Sequence, residues 1–137
     1  MSSLRRLVYR SQSLISHEDR PALRAIFDIS VGNNRRDRIT GALALPDGTF
    51  VQALEGTRSR IDGLMARLGA DDRHTGIVVL GEWDISARLF EGWSMAAPDP
   101  APLDSQSFRI MTQNGSGAQV AGLLLSLTDD PEFSLGL

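Results

Sequence analysis

The chain has 137 residues, 42% hydrophobic and 23% charged, which fits one soluble globular domain and not a disordered segment. A net charge of −3 and a pI of about 5.3 give no nucleic-acid footprint, and the lack of cysteine excludes disulfides, thiol chemistry and Cys-ligated metal. His17 and His74 are too far apart in sequence for a His-based metal site, and no run approaches the ~18 apolar residues of a membrane span, so a cytosolic, metal-free protein is expected. The opening MSSLRRLVYR is too short in apolar residues for a signal peptide. The basic run from Asn33 to Arg38 is broken by Asp37 and reads as a solvated helix end.

In chain order, Leu4 to Arg10 is a β-favouring stretch with Leu7 and Tyr9 on one face. Ser16 with Asp19 resembles a capping box, and Pro21 suits a first helical turn. Leu23, Ile26, Phe27 and Val31 keep helical spacing until Gly32-Asn33-Asn34, where the helix is predicted to end. Ile39 to Leu45 and Thr49 to Leu54 read as strands around the turn Pro46-Asp47-Gly48. Gly56-Thr57 breaks that pattern, and Ser59 offers an N-cap for the stripe Ile61, Leu64, Met65, Leu68. Ile77 to Leu80 is a buried strand, and Trp93 to Ala97 is predicted as a fifth. There Trp93 and Met95 would share one face, with Ser94 and Ala96 on the other.

The order is βαββαβ with an added strand. It reads as an α+β sandwich of ferredoxin-like type, two helices covering one face of a mixed sheet. That domain is expected over residues 1–97. Residues 98–137 are then a Pro-rich linker and a helical tail, with Val120, Leu123, Leu124 and Leu127 as its apolar stripe. Such a tail caps the bare face of the sheet or meets a second subunit.

No P-loop, dinucleotide glycine fingerprint, nucleophile elbow or zinc signature is present. Asp71 and Asp72 beside Arg73 and His74 read as a charged loop, and Trp83 and Trp93 as packing residues. One stretch resists the bland reading. In FVQALEG the side chains of Phe50, Gln52 and Leu54 point one way, so an amide sits between two core residues. A buried amide without partners costs roughly 1–3 kcal/mol. Together with Tyr9, the sole tyrosine, and the Asn33-Asn34 pair, Gln52 suggests a slot between helices and sheet for a flat, hydrogen-bonding molecule. Periodicity does not name that molecule.

The residues also carry a family resemblance. Leu7-Val8-Tyr9-Arg10-Ser11, Asn34, Ile39-Thr40-Gly41-Ala42-Leu43, the FVQALEG stretch, Arg73-His74 and Phe90 to Met95 follow one another as in BLUF domains. The chain resembles that family of blue-light sensors over about residues 4–97. The resemblance implies an FAD cofactor whose isoalloxazine ring lies between Ile26 and Leu68. It implies that Asn34 bonds the ring's polar edge, joined by Asn33 where some members carry histidine. Gln52 would stand between ring and Tyr9, with Ser11 at the same strand end, and Arg73 and His74 near the ribityl or phosphate arm. Excited FAD would take an electron from Tyr9 and a proton would follow through Gln52, leaving its amide in a changed rotamer or tautomer. Trp93 and Met95 would pass that change to the tail.

The resulting expectation is a short, single-domain photoreceptor, not an enzyme, that acts on a separate protein partner or through self-association. After Ala97 only about forty residues remain, too few for a fused effector. Two alternatives differ in class. One is a flavin-less interaction domain of the same fold. The other is an acyl phosphate hydrolase in which Arg10 binds the anion and Asn34 positions water.

Overall fold

A computed structural model describes residues 3–16, 18–98 and 100–128. His17, Asp99 in the linker, and the end of the tail from 129 onward lie outside the described residues. The elements are β1 (Leu4–Ser13), α1 (Arg20–Arg36), β2 (Thr40–Ala44), β3 (Thr49–Thr57), α2 (Arg58–Gly69) and β4 (His74–Ile85). After an irregular stretch come α3 (Ser105–Arg109), a π-helical turn at Ile110–Asn114 and α4 (Gly117–Leu127).

The four strands stand in the order β2-β3-β1-β4, every neighbouring pair antiparallel. This is the split βαβ order of a ferredoxin-like sheet. Strand periodicity divides the interior into two layers. Leu7, Tyr9, Leu43, Phe50 and Leu54 pack with Leu23 of α1 and Ile61 of α2. Val8, Ala42, Ala44, Val51 and Ala53 pack on the other face with Met111, Val120, Ala121 and Leu124 of the C-terminal helices. The described part of the tail therefore covers its own sheet. Its helix α4 starts at a complete capping box, Ser116 with Gln119.

Several element boundaries differ from expectation. Asp19, not Ser16, caps α1, its carboxylate accepting from the Ala22 amide at 3.2 Å. The helix does not stop at Gly32-Asn33-Asn34; it runs to Arg36 and is capped at Asp37. Two forces carry it through these weak helix formers. The Asn34 side chain is buried and bonded to Ser94, so it no longer competes for its own backbone. Arg35 and Arg36 suit the negative end of the helix dipole. Strand β3 continues across Gly56 to Thr57 because Arg5 and Leu4 of β1 pair with it there, and α2 begins at once, before Ser59.

The predicted fifth strand is present only as an edge contact. Trp93 and Ala96 exchange three backbone hydrogen bonds with Gly41 and Leu43 of β2, and Ala96 makes a single parallel bridge to Ala42. Gly41 is needed there: a Cβ on it would lie 2.1 Å from the Ala53 carbonyl oxygen. A Gly41→Ala variant is expected to force β2 from β3 and lose at least the ~1–3 kcal/mol typical of overpacking. Thermal unfolding measures this; a parental midpoint would contradict it. No helix among the described residues is long and apolar enough to cross a membrane.

Candidate functional site

Between α1, α2 and the sheet lies an open slot of about 210 Å³. Each wall has a periodic origin. Ile26, Ser30 and Asn33 recur at helical spacing along α1, with Ile29 and Asn34 beside them; Leu64, Arg67 and Leu68 do the same on α2. Leu43, Phe50, Gln52 and Tyr9 of the sheet form the floor, and Asp71, Arg73 and His74 close the end beyond α2. Of the nine residues expected to bind the cofactor, Tyr9, Ile26, Asn33, Asn34, Gln52, Leu68, Arg73 and His74 line this one slot and Ser11 does not.

The floor carries a directional chain of hydrogen bonds. Tyr9 and Gln52 are register partners in the β1–β3 pairing, so their side chains lie opposite each other on one face. The Tyr9 hydroxyl donates to Gln52 Oε1. Gln52 Nε2 in turn donates to Met95 Sδ at 3.6 Å. A thioether only accepts, and weakly, so this end of the amide is held loosely and the phenol end firmly. Tyr9, Gln52 and Met95 are all buried, at 3%, 5% and 4% exposure. Burial first, and then the charge of Asp71, push the Tyr9 hydroxyl well above the ordinary phenol range, so it is protonated throughout the neutral range.

Asn34 donates from Nδ2 to the Ser94 carbonyl at 2.9 Å, which leaves its amide oxygen as the acceptor it can offer the slot. Two slot residues, Asn34 and Gln52, thus hold consecutive residues of one segment, Ser94 and Met95.

Ser11 stands behind the wall. His74 Nε2 donates to the Leu68 carbonyl at 2.8 Å, because a carbonyl can only accept. This fixes the tautomer, and Nδ1 accepts from Ser11 Oγ at 2.7 Å. With its ring edge-on to Phe50, His74 braces the end of α2 against β1. Arg73 is engaged by Asp71, its Nε 2.9 Å from Oδ1. The guanidinium bonds hold the Asp71 carboxyl at about 2, well below the usual carboxylate range. Arg67 and Arg60 reach Asp37 at 3.3 Å and tie α2 to the end of α1.

Trp93 departs from expectation. It packs with the layer under the C-terminal helices, whereas Met95 belongs to the layer facing α1 and α2. The chain bends at Ser94 and Met95, so strand alternation does not apply to the pair. Ser30, Arg67 and Asp71 also line the slot; Asp71 reads in sequence as part of a charged loop, and nothing local marks Ser30 or Arg67. Arg10 is the register partner of Val51, so it lies on the sheet face opposite Asn34. The pair needed for acyl phosphate hydrolysis does not assemble.

Apolar walls at Ile26 and Leu68, with amides at Asn33, Asn34 and Gln52, fit a flat heterocycle bearing N–H and C=O groups along one edge. Among the described residues no cluster of three or more acids or histidines could hold a metal.

A family model described as sensors of blue-light using FAD matches residues 4–96. Photoactivated adenylate cyclase subunit beta of Euglena gracilis is 33% identical over 95 residues, 69% of this chain and 11% of that protein. The chain thus spans about a tenth of the length of the curated relatives it matches. The dark-state structure of BlrB, a BLUF protein, superposes with a TM-score of 0.79 at 30% identity, over 93% of this chain and 96% of that one. BlrP1 of Klebsiella pneumoniae, solved with FMN and cyclic diGMP, gives 0.66 at 29% identity over 95% and 32%.

Proposed function

This chain belongs to the BLUF family of blue-light sensors, and from that premise we propose that its slot holds FAD and that Tyr9, Gln52 and Met95 form the light switch. The observation that carries the reading is the bond chain from phenol to amide to thioether along the slot floor. Ile26 and Leu68 would grip the two faces of the flavin, with Asn33, Asn34 and Gln52 along its polar edge. Arg73 supplies positive charge for a phosphate arm while sharing its guanidinium with Asp71, and His74 with Ser11 keeps Leu68 in place. FAD is preferred to FMN on the family's description; a relative solved with FMN keeps the choice one to measure.

When bound, the flavin supplies absorption of blue light and an excited state that accepts an electron. The rest is done by the chain. A phenol that gives up an electron becomes a strong acid, and the Tyr9 proton already points at Gln52 Oε1. Protonated on oxygen, the amide no longer has a bare carbonyl end and turns about its terminal torsion, which is broad and two-fold. Electron and proton return to Tyr9. The amide remains reversed or tautomerised, its Nε2 withdrawn from Met95 Sδ, so the contact to the 93–97 segment differs between dark and lit states.

The relative from Euglena is named as an adenylate cyclase that light activates. By analogy the present domain passes its lit state to an effector, a separate protein partner or a second copy of itself. The route would be the 93–97 segment and the helices over 105–127 that cover the sheet. The reading is tested by the visible spectrum of the purified protein before and after a blue flash. A flavin band that shifts red and relaxes in darkness is expected. A protein that stays colourless after refolding with FAD, or whose band does not respond, would sink it.

A further inference from the structure

On the face of β3 opposite Gln52 sits a buried carboxylate that the switch does not use. Glu55 is fully buried. Its Oε2 accepts from Arg6 Nε at 3.0 Å and from the Leu89 amide at 2.7 Å. Its Oε1 accepts from Thr40 Oγ1 at 3.0 Å and from the Phe90 amide at 2.9 Å. Arg88 closes the set. Its Nη1 donates to Thr40 Oγ1 and to the Glu55 carbonyl, and its Nη2 to the Arg38 carbonyl, all at 2.9 Å. Arg6 also reaches the Ala87 carbonyl and lies 5.6 Å from the centre of the Trp83 ring.

A charge at this depth is tolerable only when its lone pairs are used, and here the donors have a particular origin. Two are the amides of consecutive residues, Leu89 and Phe90, in a stretch with no regular structure of its own. A hydrophobic contact would hold such a stretch to the sheet and let it slide. A carboxylate bonded to two successive amides fixes it at one point. From that point the chain is short: Phe90 accepts from the Trp93 amide, Trp93 and Ala96 pair with Gly41 and Leu43, and Met95 reaches Gln52. A slip of one residue along β2 would bring a different side chain to the amide.

We infer that Glu55 is a positioning residue: its carboxylate anchors the 87–90 turn and so sets the register in which Met95 meets Gln52. The functional consequence rests on the switch reading above. The register itself does not, and it is measurable in darkness.

The test compares the parent with Glu55→Gln, Arg88→Met and Arg88→Lys, each loaded with flavin. Amide hydrogen exchange in the dark is read at Leu43 and Ala96, whose N–H groups make the β2 edge bonds. At least tenfold faster exchange is expected there in Glu55→Gln and Arg88→Met, with β1–β3 amides such as Phe50 unchanged. Dark recovery of the light-induced shift should change at least threefold, and Arg88→Lys should restore part of both effects. Glu55→Gln leaves Arg6 without its counter-ion, so if that variant does not fold the decision falls on Arg88→Met. Parental exchange at Leu43 and Ala96 together with parental recovery overturns the inference. A parent without any light-induced shift removes the switch reading instead, and the dark exchange then decides on the anchor alone.

Discussion

Gln52→Leu is expected to bind flavin as the parent does and to show no red shift after a blue flash. Leucine keeps the bulk of the side chain on a floor made with Leu43, Phe50 and Tyr9, so the slot retains its shape. It removes both polar ends of the amide at once: the acceptor of the Tyr9 hydroxyl and the donor to Met95 Sδ. Without a group that can be reversed, the dark and lit states have no differential contact, and light cannot shift their populations. The expected loss is the entire difference spectrum. A second, smaller effect accompanies it. Tyr9 is left as a phenol at 3% exposure with no acceptor, which costs about 1–3 kcal/mol. A variant melting somewhat lower, still yellow and blind to light, is therefore the predicted phenotype. A difference spectrum of parental size would show that the shift does not pass through this amide.

The features that were legible in the sequence are those that repeat along one element. Parity in β3 put Phe50, Gln52 and Leu54 on one face, and the layer they form is the one facing α1 and α2. The seven-residue step from Ile26 to Asn33 put both on one wall of the slot. What was not legible depends on partners distant in sequence. Asn33 and Asn34 read locally as a helix end, and the bond from Asn34 to Ser94, 60 residues on, helps to carry α1 past them. Asp71 reads as part of a charged loop, and nothing local says that Arg67 lies on the side of α2 that faces a slot. Strand geometry places Trp93 and Met95 on one face, and it fails where the chain bends. Glu55 was different, because a signal existed. Val51, Ala53 and Glu55 form the other parity of the same strand, and a carboxylate continuing two small core residues poses the same question as Gln52.

Tyr9→Phe isolates the donor. The substitution removes one oxygen, keeps the ring in its layer with Leu7, Phe50 and Leu54, and changes no charge, since burial and Asp71 keep the phenol protonated. Flavin binding should persist while the photocycle is lost, because no other tyrosine exists to supply an electron and a proton together. The structure sharpens this expectation. Of the two tryptophans, Trp83 and Trp93 both pack with the layer under the C-terminal helices, and neither lines the slot. Among the described residues the Gln52 amide is hydrogen-bonded to Tyr9 and Met95. An electron from an indole would leave the amide without an incoming proton, so no reversal would follow. Loss of the phenol also frees Gln52 Oε1 from its one strong bond, and the amide then has only a thioether to orient it. The dark flavin band of Tyr9→Phe should accordingly lie displaced from the parent's and not move on illumination. A full, reversible shift in this variant would transfer the donor role to a tryptophan. It would also require the 93–97 segment to take up a register other than the one Glu55 fixes.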